Sequence, residues 1–153
     1  VPIVEPEILL KGNFDSNKIK EVSSFVLKIV FEKLRDCGVD MEEIILKPSF
    51  VRQGLDIQVD PQVTAKDTIQ NFKSVLPENL GGIAFISGGI KDSEAIETLK
   101  LLNKYKDDFN FTVLSSYSFG RALQTRCLQS WKGSVLNLNS AQKKLIEVLS
   151  FFK

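Results

Sequence analysis

Four short apolar runs alternate with longer amphipathic segments along the chain, and this alternation constrains the fold more than any other feature. The runs occupy residues 1–4, 44–46, 83–86 and 111–114. Apolar runs of this length are typical of buried strands, and the segments between them carry apolar residues at helical spacing. Strands that alternate with helices predict an α/β fold, in which helices cover a parallel sheet.

Local signals place the helices between these runs. Asp15 or Ser16 is suited to cap a first helix, whose apolar face is expected to include Ile29. Pro61 is suited to open a second helix. Two more helices are expected after the third and fourth runs, and a last one from residue 140 to about residue 152.

Four strand-helix units fit two parallel architectures. One is a small flavodoxin-like sheet, and the other is half of an eight-unit (β/α)8 barrel, which needs about 250 residues in total. The 153 residues are expected to form one domain. Since both architectures bind ligands beyond the carboxyl ends of their strands, the residues that follow each apolar run carry the evidence about function.

Composition excludes several classes of function. The formal net charge is +1, so no general field attracts nucleic acid or an acidic membrane. No apolar run approaches the roughly 20 residues that cross a bilayer. The chain has no histidine, which excludes histidine-based triads and histidine-ligated metals within it. Cys37 and Cys127 are too few for a disulfide framework and predict a reducing, cytoplasmic setting.

Lys47 and two glutamates are candidates for acid-base or nucleophilic chemistry. Lys47 directly follows the second apolar run, where partial burial favours the neutral amine that a nucleophile needs. The alternative is a lysine that extends from the strand end into solvent. Glu5 and Glu7 follow the first run, and strand alternation predicts that both point to the same face. They are interpreted either as acid/base groups at the mouth of a site or as an exposed acidic loop.

Two further motifs have the composition of phosphate-binding loops. Paired glycines after the third run allow backbone N–H groups to converge on an anion, close to the start of a helix. A serine and an arginine after the fourth run offer a hydroxyl and a fork of donors to phosphate oxygens. Phosphate sites of barrels often use the loops after the last two strands. The candidate phosphate-binding residues are Ser87, Gly88, Gly89, Ser118, Gly120 and Arg121.

Together these segments resemble the class I fructose-bisphosphate aldolases. The resemblance rests on VPIVEPE at residues 1–7, LKP at 46–48, SGG at 87–89 and SFGRAL at 118–123, in that order and spacing. It extends over nearly the whole chain, including Trp131 in the helix after the arginine. The resemblance implies a (β/α)8 TIM barrel in which residues 1–153 are the C-terminal half and supply strands five to eight.

The resemblance also implies a role for each candidate residue. Lys47 would form a Schiff base with the ketose carbonyl, Glu5 would act as acid/base in imine formation, and Glu7 would be its supporting carboxylate. The two loops would bind a substrate phosphate. The reaction would be that of a lyase of glycolysis and gluconeogenesis, which cleaves fructose 1,6-bisphosphate to dihydroxyacetone phosphate and glyceraldehyde 3-phosphate. No metal and no organic cofactor is expected.

The expected partners follow from the same resemblance. The substrate and the triose phosphates are the small-molecule partners, and a homotetramer is the expected assembly. The chain opens with an apolar run rather than a methionine. We therefore expect a missing N-terminal half-barrel, present as a separate chain, a nicked fragment or a further portion of the protein. Neither nucleic acid nor a membrane is expected as a partner.

Several departures from the family leave alternatives open. The family usually has LKPNM and SYGRAL, where this chain has Phe50 and Phe119 for the methionine and the tyrosine. Residues 54–62 also match poorly. A different Schiff-base barrel such as a transaldolase is one alternative, although it would not combine VPIVEPE with SFGRAL. The other is an inactive or truncated aldolase-like protein that binds phosphosugars or serves as a scaffold.

Overall fold

Strands and helices alternate along residues 1–150, the part of the chain that the computed structural model describes. Each strand is short and is followed by a loop and a helix, as the sequence predicts. The elements are β1 (Ile3–Val4), α1 (Ser16–Asp36), β2 (Ile45–Leu46), α2 (Pro61–Val75), β3 (Gly82–Phe85), α3 (Asp92–Tyr105), β4 (Ser115–Tyr117), α4 (Arg121–Trp131) and α5 (Leu138–Leu149).

The order of the strands distinguishes between the two parallel architectures. The four described strands form one sheet in the order β1-β2-β3-β4, and every pair is parallel. A flavodoxin-like sheet reverses its strand order at a switch point, whereas consecutive strands of a barrel are always neighbours. Consecutive helices also contact each other, α1 with α2, α2 with α3 and α3 with α4. This arrangement is that of a continuous segment of a barrel wall.

The fourth strand differs from the prediction. The apolar run at residues 111–114 was expected to form it, but the strand is Ser115–Tyr117. The side chain of Phe111 is buried in the core, whereas Leu114 is 78% exposed. The polar strand residues pair with β3 through their backbone, and Ser115 lies opposite Ile83. The apolar run therefore did not predict the position of β4, because this strand is defined by main-chain pairing with β3 and not by the burial of its side chains.

The helices confirm the predicted starts of α1 and α2. Asp15 caps α1 by accepting a hydrogen bond from the Lys18 N–H, and Pro61 is the first residue of α2. Ile29 is exposed, so its assignment to the apolar face of α1 was wrong. The last helix begins earlier than expected, and residue Phe152, its predicted end, lies outside the described residues. None of the helices in the described part is long and apolar enough to span a membrane.

The core beneath the strand ends is aromatic. The ring of Phe85 on β3 is stacked between Phe50 and Phe72, with centroid separations of 4.7 and 5.8 Å. Phe119 meets Phe50 edge-on at 6.4 Å. All four side chains are buried. Phe50 and Phe119, two of the departures from the family motifs, therefore contact each other and form one packing unit under the loops that follow β2 and β4.

Candidate active site

Lys47 and Glu5 are adjacent because β1 and β2 pair in register. Val4 lies opposite Leu46, so the next residue on each strand, Glu5 or Lys47, emerges at the same level. The Lys47 N–H also donates to the Val4 carbonyl at 2.7 Å, which extends the pairing past the end of the strands. The Lys47 Nζ is 2.9 Å from the Glu5 Oε2. The structure thus brings together two of the candidate catalytic residues.

The two side chains of this pair differ in their exposure. Lys47 lies between buried Leu46 and buried Pro48, and its side chain is 24% exposed, whereas that of Glu5 is 47% exposed. The amine therefore lies at the margin of the core, and the carboxylate beside it is more exposed to solvent. A carboxylate in this position can move protons to and from groups that are bonded to the lysine nitrogen.

Glu7 occupies a different environment. It is exposed, and its carboxylate makes no hydrogen bond or ion pair with any of residues 1–150. Strand β1 ends at Val4, so the alternation that predicted a common face for Glu5 and Glu7 does not continue as far as Glu7. The structure brings Glu5, but not Glu7, to the lysine.

The loop after β3 contacts the segment that carries Lys47. Ser49, two residues after the lysine, bridges to Ile86, and a Cβ atom on Gly88 would lie 3.0 Å from the Ser49 Cβ. Gly88 and Gly89 have φ angles of 59° and 83°, which favour glycine. The Ile90 N–H closes the turn by donating to the Ser87 carbonyl at 3.1 Å.

This loop has backbone donors for an anion. The N–H groups of Gly88 and Gly89 make no hydrogen bond to residues in the described part of the chain. Helix α3 begins at Asp92, and its first turn carries the acidic residues Asp92 and Glu94, which already interact favourably with the helix dipole. The turn at Gly88 and Gly89, rather than the helix end itself, is therefore the feature suited to binding a phosphate.

The loop after β4 leads into a helix whose first residue is an arginine. The Ser118 N–H donates to the Phe85 carbonyl at 2.8 Å, so this loop directly follows the β3–β4 pairing. Gly120 caps α4 without a side-chain hydrogen bond, and Arg121 is the first residue of the helix. The Arg121 side chain is exposed, and its guanidinium makes no ion pair or hydrogen bond with the described residues. Its donors are therefore available to an anion.

The described residues contain no group of three or more cysteine, aspartate or glutamate side chains arranged to hold a metal ion.

Arg52 is a residue of this region that the sequence did not predict to be important. It is buried in the loop after β2 and is paired with Glu94 in the first turn of α3. No local pattern marks it, because its partner is 42 positions away.

Comparison with known proteins agrees with the resemblance of the sequence motifs. The pattern of the glycolytic family described as "Fructose-bisphosphate aldolase class-I" matches residues 1–151. A cytoplasmic isozyme of fructose-bisphosphate aldolase from Spinacia oleracea is 38% identical over 144 residues, which are 94% of this chain and 40% of that protein. Fructose-bisphosphate aldolase 1 from Toxoplasma gondii is 40% identical over 149 residues, 96% of this chain and 40% of its own length.

A solved structure agrees at the level of the fold. The fructose-bisphosphate aldolase of Plasmodium falciparum, determined in complex with TRAP and a small-molecule inhibitor, superposes with a TM-score of 0.91 and 32% identity. The match covers 99% of this chain and 43% of that one. This confirms the predicted α/β fold, in which the chain is part of an aldolase barrel. The chain spans about 40% of the length of the curated relatives it matches, and it belongs to the class I fructose-bisphosphate aldolase family.

Proposed function

We propose that this chain supplies the Schiff-base half of an aldolase that cleaves fructose 1,6-bisphosphate to dihydroxyacetone phosphate and glyceraldehyde 3-phosphate. The observation that carries the proposal is the contact of 2.9 Å between the Lys47 Nζ and the Glu5 Oε2 at the ends of two paired strands. A half-buried amine beside a carboxylate has the two groups that imine formation requires, a nucleophile and a proton donor and acceptor.

In the proposed mechanism Lys47 adds to the C2 carbonyl of the ketose and gives a carbinolamine. Glu5 protonates the hydroxyl group, which leaves as water, and an iminium ion forms. Glu5, which is a carboxylate after the loss of water, accepts the proton of the C4 hydroxyl as the C3–C4 bond breaks. The electron pair of that bond moves into the iminium group and gives an enamine. Glyceraldehyde 3-phosphate leaves as the aldehyde. Protonation and hydrolysis of the enamine then release dihydroxyacetone phosphate and regenerate the free amine of Lys47.

The substrate phosphate is assigned to the two strand-end loops. Ser87, Gly88 and Gly89 would contribute the hydroxyl and the unpaired N–H groups of their turn. The second loop would contribute the Ser118 hydroxyl, the N-terminus of α4 at Gly120 and the guanidinium of Arg121. Because β3 pairs with β4, the two loops are neighbours along the sheet edge. Glu7, which lies three residues after β1 and does not contact Lys47, is assigned only a weak, supporting electrostatic role.

The function is tested in a replacement chimera, in which this chain takes the place of the matched segment of the spinach isozyme. The chimera is expected to cleave fructose 1,6-bisphosphate in a coupled assay, with and without EDTA, because the iminium group acts as the electron sink. The spinach protein without its matched segment is the negative control. A folded chimera that binds the substrate without cleaving it would support the inactive or scaffolding alternative and would refute the proposal.

The assembly and the cellular setting are proposed from the relatives. We place the whole protein in the cytoplasm, because relatives that match this chain are named cytoplasmic or cytosolic isozymes. The proposed assembly is a homotetramer of complete barrels, each of which contains an N-terminal half-barrel in addition to this segment. Sedimentation of the purified native protein would measure the number of subunits, and a monomer would contradict this assignment.

The two glutamates provide a matched pair of variants. Glu5→Gln in the chimera is expected to slow imine formation by about 10²–10⁴-fold, the range for loss of a positioned acid/base. Glu7→Gln removes the same charge two residues away, but Glu7 does not contact Lys47, so we expect a change below about fivefold. Borohydride trapping of dihydroxyacetone phosphate over a time course measures both rates. Equal effects of the two substitutions would contradict the assignment of Glu5.

Arg121 provides a second test, of phosphate binding. Arg121→Ala is expected to weaken substrate binding by about 2–4 kcal/mol, because a charge-assisted bidentate contact is lost and the phosphate is left unpaired. Arg121→Lys should restore only part of the lost binding free energy, since an ammonium group lacks the fork of donors. Arg126→Ala, also on α4 but further from its N-terminus, is the control. A KM that is the same in Arg121→Ala as in the control would exclude a phosphate role.

A further inference from the structure

A buried arginine joins the loop after β2 to the start of α3. The Arg52 side chain is 5% exposed, and its Nε donates to the Glu94 Oε1 at 2.7 Å. Its Nη1 donates to the carbonyls of Gln53 and Gly54, and its Nη2 donates to the Ile57 carbonyl at 3.0 Å. One guanidinium therefore holds four oxygen acceptors, three of them in its own loop and one in a helix.

The same loop is bonded on its other side to the loop after β1. The N–H groups of Gly54 and Leu55 donate to the carbonyls of Phe14 and Leu10 at 2.9 and 2.7 Å. A Cβ atom on Gly54 would collide with the carbonyl oxygen of Gly12, so the two backbones are in close contact. The loop after β2 is thus fixed between the segment that follows Glu5 and the helix that follows the Ser87–Gly89 turn.

We propose that Arg52 is a positioning residue, which through Glu94 fixes the phosphate-binding turn at Ser87, Gly88 and Gly89 relative to Lys47. Arg52 is five positions after Lys47, and Glu94 is five positions after Gly89. The Arg52–Glu94 pair therefore links the strand end that carries the amine to the strand end that carries the turn. This inference rests on the proposed function of both groups.

The packing between the loop and α3 is incomplete. A cavity of 580 Å³ lies between the loop and the first turn of α3, and Arg52, Ile57 and Glu94 are among the residues that line it. A buried ion pair is often no more stabilising than apolar residues of similar volume, because both charges lose their hydration. Four directed hydrogen bonds do, however, impose a geometry on the loop that an apolar side chain of the same size would not impose.

The test uses Arg52→Met and Glu94→Gln in the replacement chimera. For both variants we expect a rise in KM for fructose 1,6-bisphosphate of about tenfold, with kcat within about threefold of the parent, because misplacing the turn weakens phosphate binding more than the chemistry at Lys47. Borohydride should still attach dihydroxyacetone phosphate to Lys47. Arg52→Lys should restore KM only in part, because lysine keeps the charge but loses the fork.

A second, partly buried ion pair among the described residues provides the matched control. Lys20 on α1 is paired with Asp67 on α2, so this pair joins two helices rather than the loop after β2 and the start of α3. Asp67→Asn is expected to lower the melting temperature by an amount similar to Arg52→Met, but to leave KM unchanged. The two readouts together separate a positioning role from a general loss of stability.

The outcomes distinguish this inference from the proposed function. If the parent chimera forms no adduct on Lys47, the proposed function is wrong. If the parent forms the adduct but KM in Glu94→Gln stays within twofold, or rises equally in Asp67→Asn, the positioning role is refuted while the proposed function stands. Glu94→Gln keeps the size of the side chain, so it tests the positioning role even if Arg52→Met does not fold.

Discussion

Lys47→Ala in the replacement chimera is expected to abolish the borohydride-dependent attachment of dihydroxyacetone phosphate and to lower kcat by about 10⁴-fold or more. Only the amine can form the covalent intermediate, and loss of a nucleophile removes the whole pathway rather than one of its stabilising contacts. The measurement is peptide mass mapping after borohydride treatment, combined with the coupled cleavage assay.

Two control variants make this result specific. Lys11 is an exposed lysine in the loop after β1, and Lys11→Ala should leave both the adduct and kcat unchanged. Lys47→Arg keeps a positive charge beside Glu5 but has no nucleophilic amine, so it should be as inactive as Lys47→Ala. An adduct on a different lysine, with Lys47 unmodified in the parent chimera, would disprove the assignment.

The contact between Lys47 and Glu5 could be anticipated in part from the sequence. Both residues directly follow apolar runs, and the carboxyl ends of parallel strands meet at one edge of the sheet. The distance between them depends on the register of β1 and β2, which sets Val4 opposite Leu46. No local feature of either strand specifies that register, so the sequence predicted the two candidates but not their direct contact.

The position of the fourth strand was predicted wrongly because apolar character was used to locate it. Burial was used as the sign of a strand, and residues 111–114 are more apolar than Ser115–Tyr117. In the structure β4 is held by main-chain pairing to β3. The candidate phosphate loop still lies at a strand end, because Ser118 directly follows Tyr117. The position of a candidate motif at a strand end is thus less sensitive to such an error than the strand assignment itself.

Arg52 shows what local patterns omit. An arginine followed by glutamine and glycine in a polar loop has every feature of an exposed residue. Its burial depends on Glu94, 42 positions away, and on the carbonyls of a loop whose fold is fixed by residues 10–14. Phe50 and Phe119 are a similar case, because two isolated departures from family motifs become one edge-on aromatic contact. Both observations depend on contacts between distant parts of the chain.

The chain expressed alone is expected to have no aldolase activity and to self-associate. In the described four-stranded sheet, β1 and β4 are the two edge strands. Apolar side chains are exposed along the same edges, with Ile3 at 61% and Leu114 at 78%. Open edges of this kind pair readily with other strands, whereas a closed barrel has none.

Surface charges test which part of the molecule drives this association. Ile3→Lys and Leu114→Lys, at the two sheet edges, are expected to shift the isolated chain towards monomer in sedimentation experiments, because a charged edge opposes strand pairing. Leu136→Lys is the matched control, since Leu136 is 95% exposed but lies on a helical turn away from the sheet. If Leu136→Lys, and neither edge variant, shifted the isolated chain towards monomer, helical surfaces and not the strand edges would make the contact between copies.

Complementation completes this test. Mixing the isolated chain with the spinach isozyme that lacks its matched segment should restore cleavage of fructose 1,6-bisphosphate, because the two pieces together contain all eight strands of the barrel. Lys47→Ala in the added chain should prevent the recovery, which ties the restored activity to this chain. A stable monomer of the isolated chain with aldolase activity of its own would refute this account, since four strands would then suffice for both the fold and the site.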